Sequence, residues 1–261
     1  MTYRAKPSDG AAWVTGASAG IGRGVALELA RRGYEVHATA RRADELASLV
    51  REAAGLQGRI VAAPGDVTDR EAMARLVADI ESRRPIALAF LNAGGNFPDA
   101  PGDFGGEGFA HTFALNVQGV VNGLNPVFNA MRARKRGQIA ITGSLAGYGG
   151  LPNAGAYGPS KAAIISLAVG AKFGADPHNV TVQIVNPGYV KTPLTAGNAF
   201  PMPFLMECDE ACRRICDGFE RGGFEICFPR RLAWFLKAVG HLPYGAYFAL
   251  FKSALRGRAS A

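Results

Sequence analysis

The sequence predicts a doubly wound α/β domain, a parallel sheet of seven strands with helices on both faces, followed by a C-terminal helical extension. Three observations predict it. Short apolar runs alternate with amphipathic stretches from the start of the chain, the pattern that βαβ units leave in a sequence. A length of 261 residues suits one large α/β domain with a substantial core. Apolar content of 48% and charged content of 19% are those of a globular chain, not a disordered one.

The elements follow in order. Residues 11–16 read as a strand and 20–32 as a helix closed by Gly33. Residues 34–40 are the second strand and 42–54 a helix. Residues 59–63 form the third strand, and 69–83 a helix with Asp69 as its N-cap. Residues 86–92 are the fourth strand. Residues 107–134 read as one long helix or two shorter ones. Strand 138–142, helix 156–173, strand 180–185, helix 209–221 and strand 224–228 complete the sheet. No repeat or linker interrupts the chain before Phe228, so residues 1–228 are expected to form one domain and residues 229–261 a basic amphipathic helical tail.

Several function classes are excluded. No run of about 18 apolar residues is present, so no spanning helix is expected. The first ten residues are short of a signal peptide, which points to a cytoplasmic protein. The cysteines are Cys208, Cys212, Cys216 and Cys227. The first three recur at helical spacing and read as a buried face; neither a metal site nor disulfides are expected of them. The net charge is +8, and residues 229–261 carry six of those charges, on Arg230, Arg231, Lys237, Lys252, Arg256 and Arg258, with no acid. The body is therefore not basic enough to suggest a nucleic-acid partner.

The chemistry concentrates in a few places. Tyr157 and Lys161 stand four residues apart at the head of a helix, on one face. An ammonium beside a phenol is expected to lower the tyrosine pKa from ~10 and fit it for proton transfer to a carbonyl or from an alcohol. Ser144 lies thirteen residues upstream. Near the start, Thr15-Gly16-Ala17-Ser18-Ala19-Gly20-Ile21-Gly22 follows a strand and opens a helix. That is the context of a Rossmann-type dinucleotide turn, where a helix N-terminus meets a pyrophosphate. The second strand ends in Ala40-Arg41-Arg42, where an acid would hold the ribose hydroxyls of NAD. Here nothing repels a 2′-phosphate, and Arg41 can bind one. Arg42 competes as a solvated residue starting the next helix.

These residues resemble the short-chain dehydrogenase/reductase family over residues 11–192. The resemblance implies that Gly16, Ser18, Ala19, Gly20, Ile21 and Gly22 form the cofactor turn. It implies that Asp66 and Val67 contact adenine, and that Asn92, Ala93 and Gly94 steady the sheet beside the cofactor. Pro187, Gly188, Val190 and Thr192 match the loop that holds the nicotinamide carboxamide. Asn116, Ser144, Tyr157 and Lys161 match the catalytic set. Ser144 is then expected to bind the carbonyl oxygen, Tyr157 to transfer the proton, Lys161 to tune Tyr157 and bind the nicotinamide ribose, and Asn116 to hold a relay water. Many NADP-using members carry a basic residue where this chain has Ala19, so NADP(H) preference rests on Arg41 and the missing acid, with NAD(H) as the other candidate. The family often dimerises through two long helices, here 107–134 and 156–173.

Residues 193–206 follow the nicotinamide loop and include Leu194, Phe200, Met202, Phe204, Leu205 and Met206. They read either as a substrate lid for a lipophilic carbonyl or alcohol or as a loop packed on the core. In the tail, Leu232, Phe235, Leu236 and Val239, then Tyr244, Tyr247, Phe248, Phe251 and Leu255, predict two helices broken near residues 241–243 with their apolar stripes buried. Gly245, Ala249 and Ser253 form a small-residue row suited to close helix contact. The tail can cover the active-site mouth, a partner subunit or an anionic membrane surface. The expected function is hydride transfer between NADP(H) and a carbonyl/alcohol pair. Two alternatives stay open: a non-catalytic nucleotide sensor or scaffold, and a peripheral membrane protein, on the same fold.

Overall fold

Strands β1 (Ala11–Thr15), β2 (Glu35–Thr39), β3 (Arg59–Ala62), β4 (Ile86–Leu91), β5 (Gly137–Thr142), β6 (Val180–Pro187) and β7 (Glu225–Phe228) form one parallel sheet in the order β3-β2-β1-β4-β5-β6-β7. The computed structural model describes residues 3–99, 106–152, 155–198 and 201–259, with side chains of the last helix as far as Lys252. Every strand pairing is parallel, as between Trp13 and His37 and between Ala89 and Ile139. The central strands are buried along their whole length, which is why they read as unbroken apolar runs.

Helices cover both faces. On one side lie α1 (Gly20–Arg31), α2 (Ala43–Glu52) and α7 (Cys208–Arg221), whose Leu29, Leu46 and Phe219 meet Val14 and Phe90. On the other lie α3 (Arg70–Arg83), α5 (Gly119–Ala133) and α6 (Tyr157–Ala175), whose Ile80, Met131 and Ile164 meet Trp13 and Ile139. Adjacent residues Trp13 and Val14 thus feed opposite cores, as the pleat requires. Asp69 caps α3 by accepting a hydrogen bond from the Ala72 amide at 2.9 Å.

The region expected as one or two helices is continuous but not uniform. Helix α4 (Glu107–Phe113) passes into a π-helical turn, Ala114–Gln118, before α5 resumes the α pitch. Helix α6 runs two residues past its expected end. Below the sheet, at the strands' N-terminal ends, a strap of early residues is stitched to distant elements. The Ala5 amide donates to Gln138 Oε1 at 2.8 Å, and Thr181 Oγ1 donates to the Tyr3 carbonyl at 2.6 Å. Tyr34 Oη donates to the Ala5 carbonyl at 2.7 Å.

Cys212 and Cys216 are buried on α7 as expected; Cys208 is half-buried with its sulfur 3.9 Å from that of Cys212. The tail forms α8 (Arg230–Gly240) and α9 (Tyr244–Ala259), broken at residues 241–243. Helix α8 docks through Ala233 and Val239 and through a polar knot. There the Glu225 carboxylate accepts from Tyr148 Oη at 2.6 Å, from Asn186 Nδ2 at 3.0 Å and from Lys237 Nζ. Tyr247 Oη donates to the Gly150 carbonyl at 3.0 Å.

The expectation of fully buried tail stripes is corrected. Phe235, Tyr244 and Phe248 are 54%, 80% and 55% exposed. Helix α8 is apolar on more than one side, so spacing alone could not choose the docked face, and α9 is held chiefly through Tyr247. Gly245 faces open space, so the small-residue row makes no close contact there. Phe200 and the side chains of Ser253, Leu255, Arg256 and Arg258 lie outside the described residues. Among the described residues no helix is long and apolar enough to cross a membrane.

Candidate active site

Strand order reverses at β1, which has β2 on one side and β4 on the other, and a crevice opens there beyond the strands' C-terminal ends. A cleft of about 360 Å³ occupies it. Its floor begins where β1 ends. Gly16 and Gly20 adopt φ of +69° and +54°, which L side chains rarely adopt. Ser18, Ala19, Gly20 and Ile21 line the cleft, as does Gly16. Gly22 does not line it; a Cβ there would fall 2.2 Å from the Gly16 carbonyl oxygen and 2.6 Å from Asn92 Nδ2, so its part is close packing. Helix α1 has no side-chain N-cap at Ala19, which leaves its first N–H groups available to an anion.

One end of the cleft is lined by Ala40, Arg41, Asp66 and Val67. Arg42 reaches back as well, its guanidinium donating to Ser18 Oγ at 3.2 Å while pairing with Glu45 at 3.5 Å. Arg42 does not itself line the cleft and stays exposed at the start of α2, within reach of Ser18, which does. The Asp66 carboxylate accepts from the amide and hydroxyl of Thr68, closing its own turn. Asn122, buried on α5, donates to the carbonyls of Val67 and Thr68 and pins the loop from below.

Asn92, Ala93 and Gly94 lie at the centre. Thr15 Oγ1 accepts from the amides of both Asn92 and Ala93, while Asn92 Oδ1 accepts from Thr142 Oγ1 at 3.1 Å. The ends of β1, β4 and β5 are thereby fastened together. A Cβ on Gly94 would stand 3.1 Å from Asn116 Oδ1 and 3.4 Å from Lys161 Nζ, so glycine leaves the most room beside both groups.

At the other end Ser144, Tyr157 and Lys161 converge. Ser144 follows β5; its Oγ accepts from the Ala146 amide at 3.1 Å. Lys161 is buried, donates to the Thr142 carbonyl at 2.9 Å, and has Nζ 5.7 Å from the Tyr157 ring centroid. Asn116 sits in the π turn beneath the cleft and does not line it. Its amide donates to the Gly95 carbonyl and to Ser160 Oγ, both at 2.9 Å, and its Oδ1 accepts from the Gly95 amide. Ser160 Oγ in turn donates to the Tyr157 carbonyl at 2.7 Å. A chain of hydrogen bonds thus holds the first turn of α6 to the β4 loop.

The electrostatics correct one expectation. Burial raises the Tyr157 phenol above its usual value, and a hydrogen bond from Ser144 opposes that only in part. Lys161 is drawn toward the Thr142 carbonyl, and burial lowers its own pKa to about 8. Desolvation therefore sets the direction of the phenol's shift.

Pro187, Gly188, Val190 and Thr192 form the remaining wall. The Gly188 amide donates to the Phe228 carbonyl at 2.7 Å, and Val190 pairs with Met206 as a parallel bridge. Thr192 leans over Gly20, with Cγ2 3.2 Å from where a Cβ would be. Leu194 lies at the rim, Met206 is buried, and Phe204 and Leu205 are exposed, so the segment after the loop is not simply packed on the core.

Reasoning from sequence missed Asn122 and Ser160. Each is a small polar residue inside a helix, and its only signal was that a polar group on a buried face needs a partner. Leu115 and Thr142, which also line the cleft, carried no signal.

A family model described as short chain dehydrogenase matches residues 10–199. An uncharacterized oxidoreductase of Myxococcus xanthus is 36% identical over 234 residues, covering 89% of this chain and 90% of that protein. A short chain dehydrogenase from Burkholderia cenocepacia in complex with NADP superposes with a TM-score of 0.79 at 24% identity, covering 95% of this chain and 99% of that one. A short chain dehydrogenase/reductase from Burkholderia phymatum in complex with NAD gives a TM-score of 0.78 at 20% identity, covering 91% and 93%.

Proposed function

The chain belongs to the short-chain dehydrogenase/reductase family, and from that premise we propose that it transfers a hydride between NADP(H) and a carbonyl/alcohol pair, with a lipophilic ketone, aldehyde or secondary alcohol as substrate. One observation carries this reading. Ser144, Tyr157 and Lys161 share one end of a cleft whose other end is an uncapped helix N-terminus beside Arg41. The cleft fits a nicotinamide dinucleotide: the glycine turn lets an anion approach α1, and Gly94 leaves open a cradle against Lys161. When bound, the nicotinamide supplies or accepts the hydride.

The chain's own residues do the rest. Ser144 donates a hydrogen bond to the carbonyl oxygen and stabilises the charge that develops there. Tyr157 gives its Oη proton to that oxygen in reduction and takes it back in oxidation. Lys161 holds the nicotinamide ribose and, with Asn116 and Ser160, keeps the head of α6 in position. Leu115, Leu194 and the exposed Phe204 and Leu205 support an apolar substrate. A homodimer through the α4–α5 region and α6 is part of this reading; exposed Val169 and Phe173 on α6 support it, and a monomer in sedimentation velocity would count against it.

NADP(H) preference is supported by Arg41, by Arg42 on Ser18, and by the lack of an acid at Ala40. A charge-assisted contact to the 2′-phosphate is worth about 1.5–3 kcal/mol, or roughly ten- to a hundredfold in affinity. Arg41→Ala is expected to weaken NADPH binding by about that factor and leave NADH binding nearly unchanged, as titration of both cofactors will read. Consumption of NADPH and NADH across a panel of ketones and aldehydes tests the reaction itself. Cofactor binding without turnover of any carbonyl would leave the nucleotide-sensor alternative standing.

A further inference from the structure

Helix α8 hides one side and presents another that is just as apolar. Arg231, Trp234, Phe235 and Ala238 are all exposed at i, i+3, i+4 and i+7, and exposed Leu242 follows in line. Trp234 is 65% exposed. Tyr244 and Phe248 continue the aromatic surface onto α9, stacked at 6.1 Å between ring centroids. Beside Trp234 lies an open recess of about 560 Å³ edged by Arg214, Arg221, Arg230 and Lys237, with the Glu225 carboxylate that Lys237 holds in its wall. Residues 229–261 contain six cations and no carboxylate.

We propose that this face of α8 and the start of α9 is a docking surface for an anionic lipid bilayer. Exposed aromatics beside the exposed Arg230 and Arg231 fit the boundary between headgroups and acyl chains. Arg230, on the edge of the recess, fits a headgroup phosphate, whereas Lys237 and Arg214 are already paired with Glu225 and Glu210. The charge argues against a second copy of this chain as the occupant. A two-fold interface would lay this surface on itself, where the tail has no acid and Glu225 is already held by Lys237, so neither would answer the facing Arg230 and Arg231. Neither helix is long and apolar enough to cross the bilayer, so the face lies on the surface. The surface does not depend on the proposed reaction. It does adjoin the cleft: Gly240 lies against the Tyr148 carbonyl and Tyr247 bonds Gly150, both on the segment that follows Ser144.

The experiment is vesicle binding by the full chain, read by tryptophan fluorescence. The chain has two tryptophans, and Trp13 is fully buried in the core, so a change on adding vesicles reports Trp234. With phosphatidylcholine vesicles containing phosphatidylserine, we expect a blue shift, quenching by brominated lipid, and co-flotation of the protein. All three should weaken with added salt and with phosphatidylcholine alone. Arg230→Gln with Arg231→Gln should weaken binding about 25-fold, at about fivefold per cation near the surface. Trp234→Ser with Phe235→Ser should abolish flotation, while the melting temperature and NADPH binding stay unchanged because both side chains are exposed. Absence of flotation with the intact chain overturns the proposal, as does binding indifferent to lipid charge. Protection of Trp234 from acrylamide on raising protein concentration alone, lost in the double serine variant, overturns it in favour of a second copy.

Discussion

Burial keeps the proton on Tyr157 across the neutral range, which suits the proton delivery proposed for it. Carbonyl reduction is therefore expected to hold steady through neutral pH and fall only in alkali. Alcohol oxidation, which needs the phenolate, is expected to rise with pH over the same range. Tyr157→Phe removes only the hydroxyl; we expect turnover to fall about 10²–10⁴-fold with cofactor affinity little changed, as steady-state kinetics and titration will show. Lys161 makes a second, opposite demand. Its ammonium binds a proton less tightly in the folded chain, about pH 8, than at the ordinary value of 10.5. Folding therefore releases a proton between those values, stability rises with pH across that window, and the cost is fully present below pH 8. Lys161→Met should raise neutral-pH stability of the cofactor-free chain by about 1–2 kcal/mol, once the lost bond to Thr142 is subtracted, while abolishing turnover. Equal melting of variant and parent from pH 7 to pH 10 would show that the buried charge costs nothing. Residue identities and spacing made Ser144, Tyr157 and Lys161 legible in the sequence. The direction of the tyrosine shift was not, because it depends on how much protein surrounds the ring, and spacing carries no such information.

Elements position these groups through contacts that tolerate little change. The turn after β1 approaches the β4 loop so closely that Gly22→Ala would drive a methyl into the Gly16 carbonyl and the Asn92 amide. Backbone cannot move aside as a side-chain tip can. We expect a loss of about 1–3 kcal/mol in stability, read by denaturant unfolding, and a marked loss of dinucleotide affinity. Alternating strands and helices were readable because β1, β4 and β5 are buried on both faces and α2 and α7 are amphipathic. The π turn at Ala114–Gln118 was not, since one extra residue in a helical turn leaves the apolar period almost intact. That turn contains Asn116, whose bonds to Gly95 and Ser160 join α4, β4 and α6. The asparagine was readable as a member of a motif, but its partners belong to tertiary structure.

The whole molecule is held at its far edge by the α8 knot around Glu225. Lys237, Tyr148 and Asn186 hold that carboxyl below its usual pKa against the effect of burial. A lowered carboxylate pKa contributes stability above the ordinary range that is lost as pH falls through the folded value, so acid should loosen α8 before the sheet. Truncation after Phe228 removes Lys237, Ala233, Val239 and Tyr247 together. We expect a fall in melting temperature of about 5–10 °C, the equivalent of roughly 2–3 kcal/mol at this chain length, and an unchanged value would mean that the knot contributes nothing net. Two tail helices and their break were legible, because a proline and two apolar periods announce them. Which faces dock was not, because an apolar period on several sides of α8 leaves the choice to the surface it meets. The strap beneath the sheet has a consequence for synthesis. Tyr3 and Ala5 leave the ribosome 178 and 133 residues ahead of their seats at Thr181 and Gln138. The strap therefore stays open to chaperones until Gln138 and Thr181 have both been translated, and it closes only as the finished sheet assembles above it.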